Sequence, residues 1–175
     1  TFPPLAHTAI GRPLNLPQPR SSSPSTGLMA VVIPTTHTQD MPHTFRKSHG
    51  GREKYFPTSL KKDATGDCVI RAIAIGTDQD YMQVWNDLFA AATALGIMPN
   101  EARVYEPYLA SRGWVKHSFL KRPDGRKVAV RDFPCDNAIM LTCKHLTVIK
   151  DGVHLDSWDC GRGKANTYYT PKETL

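Results

Sequence analysis

Among the four cysteines of this 175-residue chain there is no Cys-x-x-Cys pair, so neither a disulfide framework nor a zinc knuckle has its usual spacing. No apolar run approaches the ~18 residues needed to cross a bilayer. The longest, Val69 to Ile75, is broken by Arg71. This excludes a membrane-spanning helix of ordinary kind, and no membrane partner is expected. The opening Thr1-Phe2-Pro3-Pro4 lacks the basic start and apolar middle of a secretory signal. With few and unpaired cysteines, the expected setting is reducing and cytoplasmic. There is no Gly-x-Gly-x-x-Gly and no Walker loop, so a nucleotide-binding fold has nothing to stand on and no cofactor is expected.

The chain does carry an excess of positive charge, +6 at neutral pH with a pI near 9.2. Basic clusters such as Lys61-Lys62, Lys121-Arg122 and Arg126-Lys127 are short and flanked by turn residues. A nucleic-acid module concentrates charge on one face with aromatics between. Nucleic acid is therefore not the expected partner; solvated loops account for the clusters.

Composition divides the chain. Nine of the 14 prolines precede Thr58, with the run Ser21-Ser22-Ser23-Pro24-Ser25-Thr26 and the pair Gly50-Gly51. Such a stretch buries too little apolar surface to offset its ordering entropy. Residues 1–55 are expected to be a flexible leader and 56–175 the folded domain. Within that domain, Cys68 to Ile75 reads as a buried helix capped by Thr65-Gly66-Asp67 and ended by Gly76. Thr77-Asp78 caps an amphipathic helix with Tyr81, Val84, Trp85, Leu88, Ala92 and Leu95 on one face and Gly96 as its stop. Asn100 to Arg112 is a third helix, interrupted at Pro107. Strands are expected at Trp114–Leu120 and Lys127–Phe133, then at Ala138–Ile149 and Val153–Trp158 around the turn Lys150-Asp151-Gly152, with Tyr168-Tyr169 as a last strand. Helices followed by an antiparallel sheet make the chain α+β.

Cys68 lies where a polar turn becomes a buried helix. A cysteine in the first turn feels the helix dipole and the free N–H groups, which favour thiolate and can donate to an oxyanion. A lone buried cysteine is as easily explained by packing. The hairpin offers a base: with Asp151-Gly152 in the turn, Lys150 pairs with Val153 and Ile149 with His154. His145, Thr147 and Ile149 then share a face with His154, Asp156 and Trp158, and His145 and Asp156 become diagonal neighbours. An imidazole held by a carboxylate and presented to a thiol is the arrangement nucleophilic catalysis needs. His154 is a competing base, or a rim histidine near solvent, with Asp159 as a reserve orienter. His7, His37, His43, His49 and His117 read as solvated. Asp67 beside the thiol opposes thiolate by like charge. Cys135, Cys143, His145 and Cys160 could be drawn as a zinc set, but only Cys143 and His145 are suitably close, so no metal is expected. The tryptophans Trp85, Trp114 and Trp158 read as packing, with Trp158 also placed to shield a His–Asp hydrogen bond.

Thr65-Gly66-Asp67-Cys68-Val69-Ile70-Arg71-Ala72, followed by Lys144-His145-Leu146-Thr147-Val148-Ile149 and Asp156, resembles the papain-like cysteine peptidase superfamily. It is similar in particular to small phage and bacterial proteins with a G-D-C-x-x-R-A start. The resemblance spans about residues 61–160. It implies a cysteine on a central helix packed against an antiparallel sheet, with Cys68 as nucleophile, His145 as base and Asp156 as orienter. The family's glutamine six residues before the cysteine lends a donor to the oxyanion hole; here that position is Lys62. Asp-Cys with Arg-Ala, and His154-Leu155-Asp156-Ser157, also look like ovarian-tumour-class deubiquitinases, which would pair Cys68 with His154. The expected function is a cysteine peptidase-like hydrolase acting on a polypeptide. The alternatives are that deubiquitinase arrangement and a non-catalytic interaction module of the same fold.

Overall fold

The computed structural model describes residues 41–58 and 66–172. Among them are three α-helices and a six-stranded sheet in an α+β arrangement. The strands are β1 (Thr44–Lys47), β2 (Trp114–Ser118), β3 (Ala138–Leu141), β4 (Leu146–Lys150), β5 (Val153–Asp156) and β6 (Thr167–Pro171), in spatial order β1-β5-β4-β3-β6-β2. All pairings are antiparallel except β1 with β5.

α1 (Cys68–Thr77) carries the most apolar segment of the chain and packs across β4. Val69, Ile70 and Ile73 meet Ile139, Leu146, Val148 and Leu155 there. Gly76 does not end the helix, as its sequence position suggests. A Cβ at Gly76 would lie 2.7 Å from Ile139 Cδ1, so the missing side chain lets helix and sheet close together. The helix stops two residues later at Asp78, whose φ of 54° is left-handed.

α2 (Tyr81–Leu95) starts at Asp80, not at Thr77-Asp78. The Asp80 carboxylate accepts from the Met82 and Gln83 N–H groups, while the Thr77 hydroxyl turns back onto Ile73 O. Tyr81, Val84, Leu88 and Ala92 are buried; Leu95, expected on the same face, is 57% exposed in the last turn before Gly96. α3 (Ala102–Ser111) runs through Pro107 unbroken.

The opposite face of the sheet is covered by a loop. Val128, Val130 and Phe133 pack there on Met140, Ile149 and Tyr168. The strand expected at Lys127–Phe133 is absent. Isolated bridges Lys121–Lys127 and Ala129–Lys164 and a 3-10 turn at Val130–Asp132 stand in its place, and β2 pairs with β6 instead. Val128, Ala129, Val130 and Phe133 are all buried in this loop, and a short apolar run of that kind reads in sequence as a strand whether or not it pairs.

The folded unit also begins before residue 55. β1 lies beside β5, with Thr44 opposite Val153 and Lys47 opposite Asp156, and Arg52 is only 2% exposed. Nor are two of the histidines solvated as expected. His43 bonds the carbonyls of Gly152 and Phe133, and His117 stacks on Tyr168 and bonds the Thr170 hydroxyl. His7, His37 and Lys62 lie outside the described residues.

Candidate active site

The β4–β5 hairpin has the register expected from its turn, with Lys150 opposite Val153, Ile149 opposite His154 and Val148 opposite Leu155. Thr147 and His154 share a face and bond at 2.9 Å. On that face, where β4 starts and β5 ends, His145 Nε2 lies 2.6 Å from Asp156 Oδ2. The Trp158 ring lies 5.3 Å from the imidazole, half exposed, and screens this bond from one side.

Cys68 is the first residue of α1 and partly exposed. Burial raises its thiol pKa, but a hydrogen bond with His145, one from the Leu146 backbone, and the charges of His145 and Arg71 outweigh that and lower it. With Nε2 held by Asp156, Nδ1 is the imidazole nitrogen left for the thiol. Burial works against charge on His145 too. The bonds to Asp156, Cys160 and Cys68 and the Asp156 charge overcome it, pushing the pKa up to about 11. Asp156 goes the other way: burial raises it, but His145, Thr147 and Arg71 hold it below the usual carboxylate range. The directions agree with a resting thiolate–imidazolium pair beside an ionised carboxylate.

A buried charge network supports the site from beneath. Asp67 receives Arg52 at 3.2 Å, Arg71 at 2.7 Å and the Tyr81 hydroxyl at 2.9 Å. Arg71 reaches on to Asp156 at 3.2 Å. Asp67 thus does not confront the thiol with a free negative charge, as sequence proximity suggests; two guanidinium groups balance it. The same pairing keeps its side chain from capping α1, so it does not occupy the N–H groups of the first turn. Arg71 has a sequence signal: one cation inside an otherwise apolar helix has to find a buried partner. Arg52 has none, standing in a stretch that reads as leader.

His154 is not at the rim. It is 1% exposed, bonded to Thr147 and 3.3 Å from Cys160 Sγ. Burial lowers its pKa, so it stays neutral at pH 7. It lies with Cys160, whereas His145 is the imidazole that lowers the pKa of the Cys68 thiol, and His145 is also influenced by Cys160. Asp159 lies 3.8 Å from His154 Nδ1 and is 66% exposed. The four-residue zinc set does not come together. Among the described residues the group with metal-like proximity is His145, Asp156 and Cys160, with candidate ligand atoms all within 4.8 Å of one another. Two of those three are already joined by the short His–Asp hydrogen bond, so an ion there would have to displace the proton they share. Cys143 is exposed, on the lip of a neighbouring cleft.

No family model matches this chain, and neither a curated protein nor a solved structure matches it.

Proposed function

We propose that this protein is a papain-like cysteine hydrolase that acts on a peptide or isopeptide acyl group, working through Cys68, His145 and Asp156. The observation that carries the reading is the 2.6 Å bond from His145 to Asp156, with His145 also lowering the pKa of the Cys68 thiol at the first residue of a helix. The layout of cysteine on the helix and histidine and aspartate on the sheet also supports it.

In the first step the Cys68 sulfur attacks the carbonyl carbon; its proton is already on, or passes to, His145 Nδ1. The carbonyl π pair moves to oxygen, where first-turn N–H groups of α1 can receive it. Collapse of the adduct breaks the C–N bond and the His145 proton goes to the leaving amine, leaving a thioester on Cys68. Water then gives a proton to His145 and attacks the thioester. The C–S bond breaks, the carboxylic acid departs and the ion pair is restored. Asp156 fixes the imidazole and offsets its charge throughout; a side-chain donor from Lys62 would add to the oxyanion site.

A peptidyl vinyl sulfone tests this directly. The expected result is one covalent adduct, located at Cys68 by mass spectrometry and lost in Cys68→Ala and His145→Ala. Adducts spread over Cys135, Cys143 and Cys68 at comparable rates would mean that the thiol is not activated and the fold serves another purpose.

A further inference from the structure

Beside His145, with no residue of α1 in its lining, the chain forms an open cleft of about 910 Å³. His145 and Trp158 make one wall, and Lys144, Arg162 and Lys164 stand exposed around the rim. None of these three cations has an ion-pair partner among the described residues. Among the described residues, the only carboxylate in the lining is Asp159. It is partly occupied, accepting from the Gly161 N–H at 2.9 Å and lying 3.8 Å from buried His154. Three unpaired cations around a concave surface raise the local concentration of anions, and a concavity focuses that field more than a convex surface does.

We infer that this cleft is a binding site for an acidic peptide segment. It takes the portion of the substrate on the leaving-group side of the scissile bond and selects Asp and Glu there. The placement rests on the hydrolase reading: His145 hands its proton to the departing amine, so the chain beyond that amine must pass His145 and Trp158. The charge preference rests on the cleft alone. A polypeptide fits better than a nucleic acid. Single-strand binding uses successive aromatic platforms, and the lining offers one, Trp158, whose ring is already engaged by His145.

Cys143, exposed within the cleft, reports occupancy. The experiment follows its modification by a bulky maleimide in the full chain, by peptide mapping, with dye-free Glu/Gly, Gln/Gly and Lys/Gly octapeptides and oligothymidylate as competitors. Each protein is compared with its own unprotected rate. The Glu/Gly peptide at saturation should slow Cys143 on the order of tenfold in low salt. The Gln/Gly and Lys/Gly peptides should not. Protection should vanish in Lys144→Gln/Arg162→Gln/Lys164→Gln and persist in the charge-matched Lys121→Gln/Arg126→Gln/Lys172→Gln. Equal effects of the three peptides, equal loss in both triple variants, or protection by oligothymidylate as strong as by the Glu/Gly peptide would each overturn the site. Cys68 alkylation in the same samples separates the two claims. A reactive Cys68 with unprotected Cys143 removes the cleft and leaves the hydrolase. A protected Cys143 with an inert Cys68 removes the hydrolase, and with it the leaving-group placement, but keeps acidic-peptide binding.

Discussion

Two cysteines of this protein lie against a histidine, and they differ in almost everything else. Cys68 begins a helix, is partly open to solvent and has its pKa lowered by His145, an imidazole held by Asp156. Cys160 lies buried in a loop, 3.3 Å from His154, an imidazole that burial keeps neutral, and 3.6 Å from Oδ2 of the same Asp156 carboxylate. Contact between a thiol and an imidazole is thus common to both places. What separates them is the carboxylate behind the ring, the helix terminus behind the sulfur, and access. Burial pulls both imidazoles toward neutrality; at His145 the hydrogen bond and charge of Asp156 overcome that pull, and His154 has no comparable partner.

The largest effect should come from removing the two imidazoles in turn. His145→Ala should slow acylation of Cys68 by an activated peptide ester by ~10²–10⁴-fold, the usual contribution of a positioned acid–base group. His154→Gln, which keeps an N–H for Thr147, should stay within about threefold of the parent. Stopped-flow acylation measures both. The reverse pattern would transfer the chemistry to the ovarian-tumour-like pairing.

Next in size is the charge network beneath the active pair. Arg71→Met strips both Asp67 and Asp156 of a buried partner, and should cost about 3–5 kcal/mol in denaturant unfolding. It should also weaken thiolate formation, because Arg71 is one of the charges lowering Cys68. A loss below about 1 kcal/mol would show that the network is solvated and does not hold the site.

The same residues differ in how plainly the amino-acid sequence discloses them. The hairpin register is legible because Asp151-Gly152 fixes a turn, and a period of two then places His145 and Asp156 on one face. Cys68 at a helix start is legible from a polar turn running into an apolar segment. Arg52 and β1 are not, since strand pairing across about a hundred residues leaves no local pattern, and Pro42, Gly50, Gly51 and Pro57 break up their surroundings. The buried state of His154 is hidden for a related reason: a hairpin's sequence does not reveal that the loop after β5 folds over it. Gly76 is ambiguous because a helix-ending glycine and a close-packing glycine look alike in one dimension.

The smallest expected effect is on stability against pH, and it also contrasts the two imidazoles. His145 has a raised folded pKa, so its stabilisation is full below its unfolded value of 6.5 and fades as pH climbs toward about 11. His154 and Asp156 have lowered values. Their contributions are full above 6.5 and 3.8 respectively and fade as pH falls through the folded values. Cys68, lowered from 9.0, gains as pH rises toward that value and offsets the loss at His145, so urea midpoints should be nearly level from pH 6.5 to 9 and decline on both sides. A midpoint still rising from pH 7 to 10 would place the His145 charge elsewhere.

Central to the hydrolase reading is whether the Cys68 sulfur is ionised by its imidazole. The most direct measurement is the rate of iodoacetamide alkylation at Cys68, followed by mass spectrometry from pH 5 to 10. An ion pair predicts rapid reaction already near pH 6, with a nearly level profile up to pH 8, and in His145→Ala a profile that rises only toward the ordinary thiol value of about 8.5. A Cys68 profile in the parent protein that rises at that ordinary value, unchanged by His145→Ala, would contradict it.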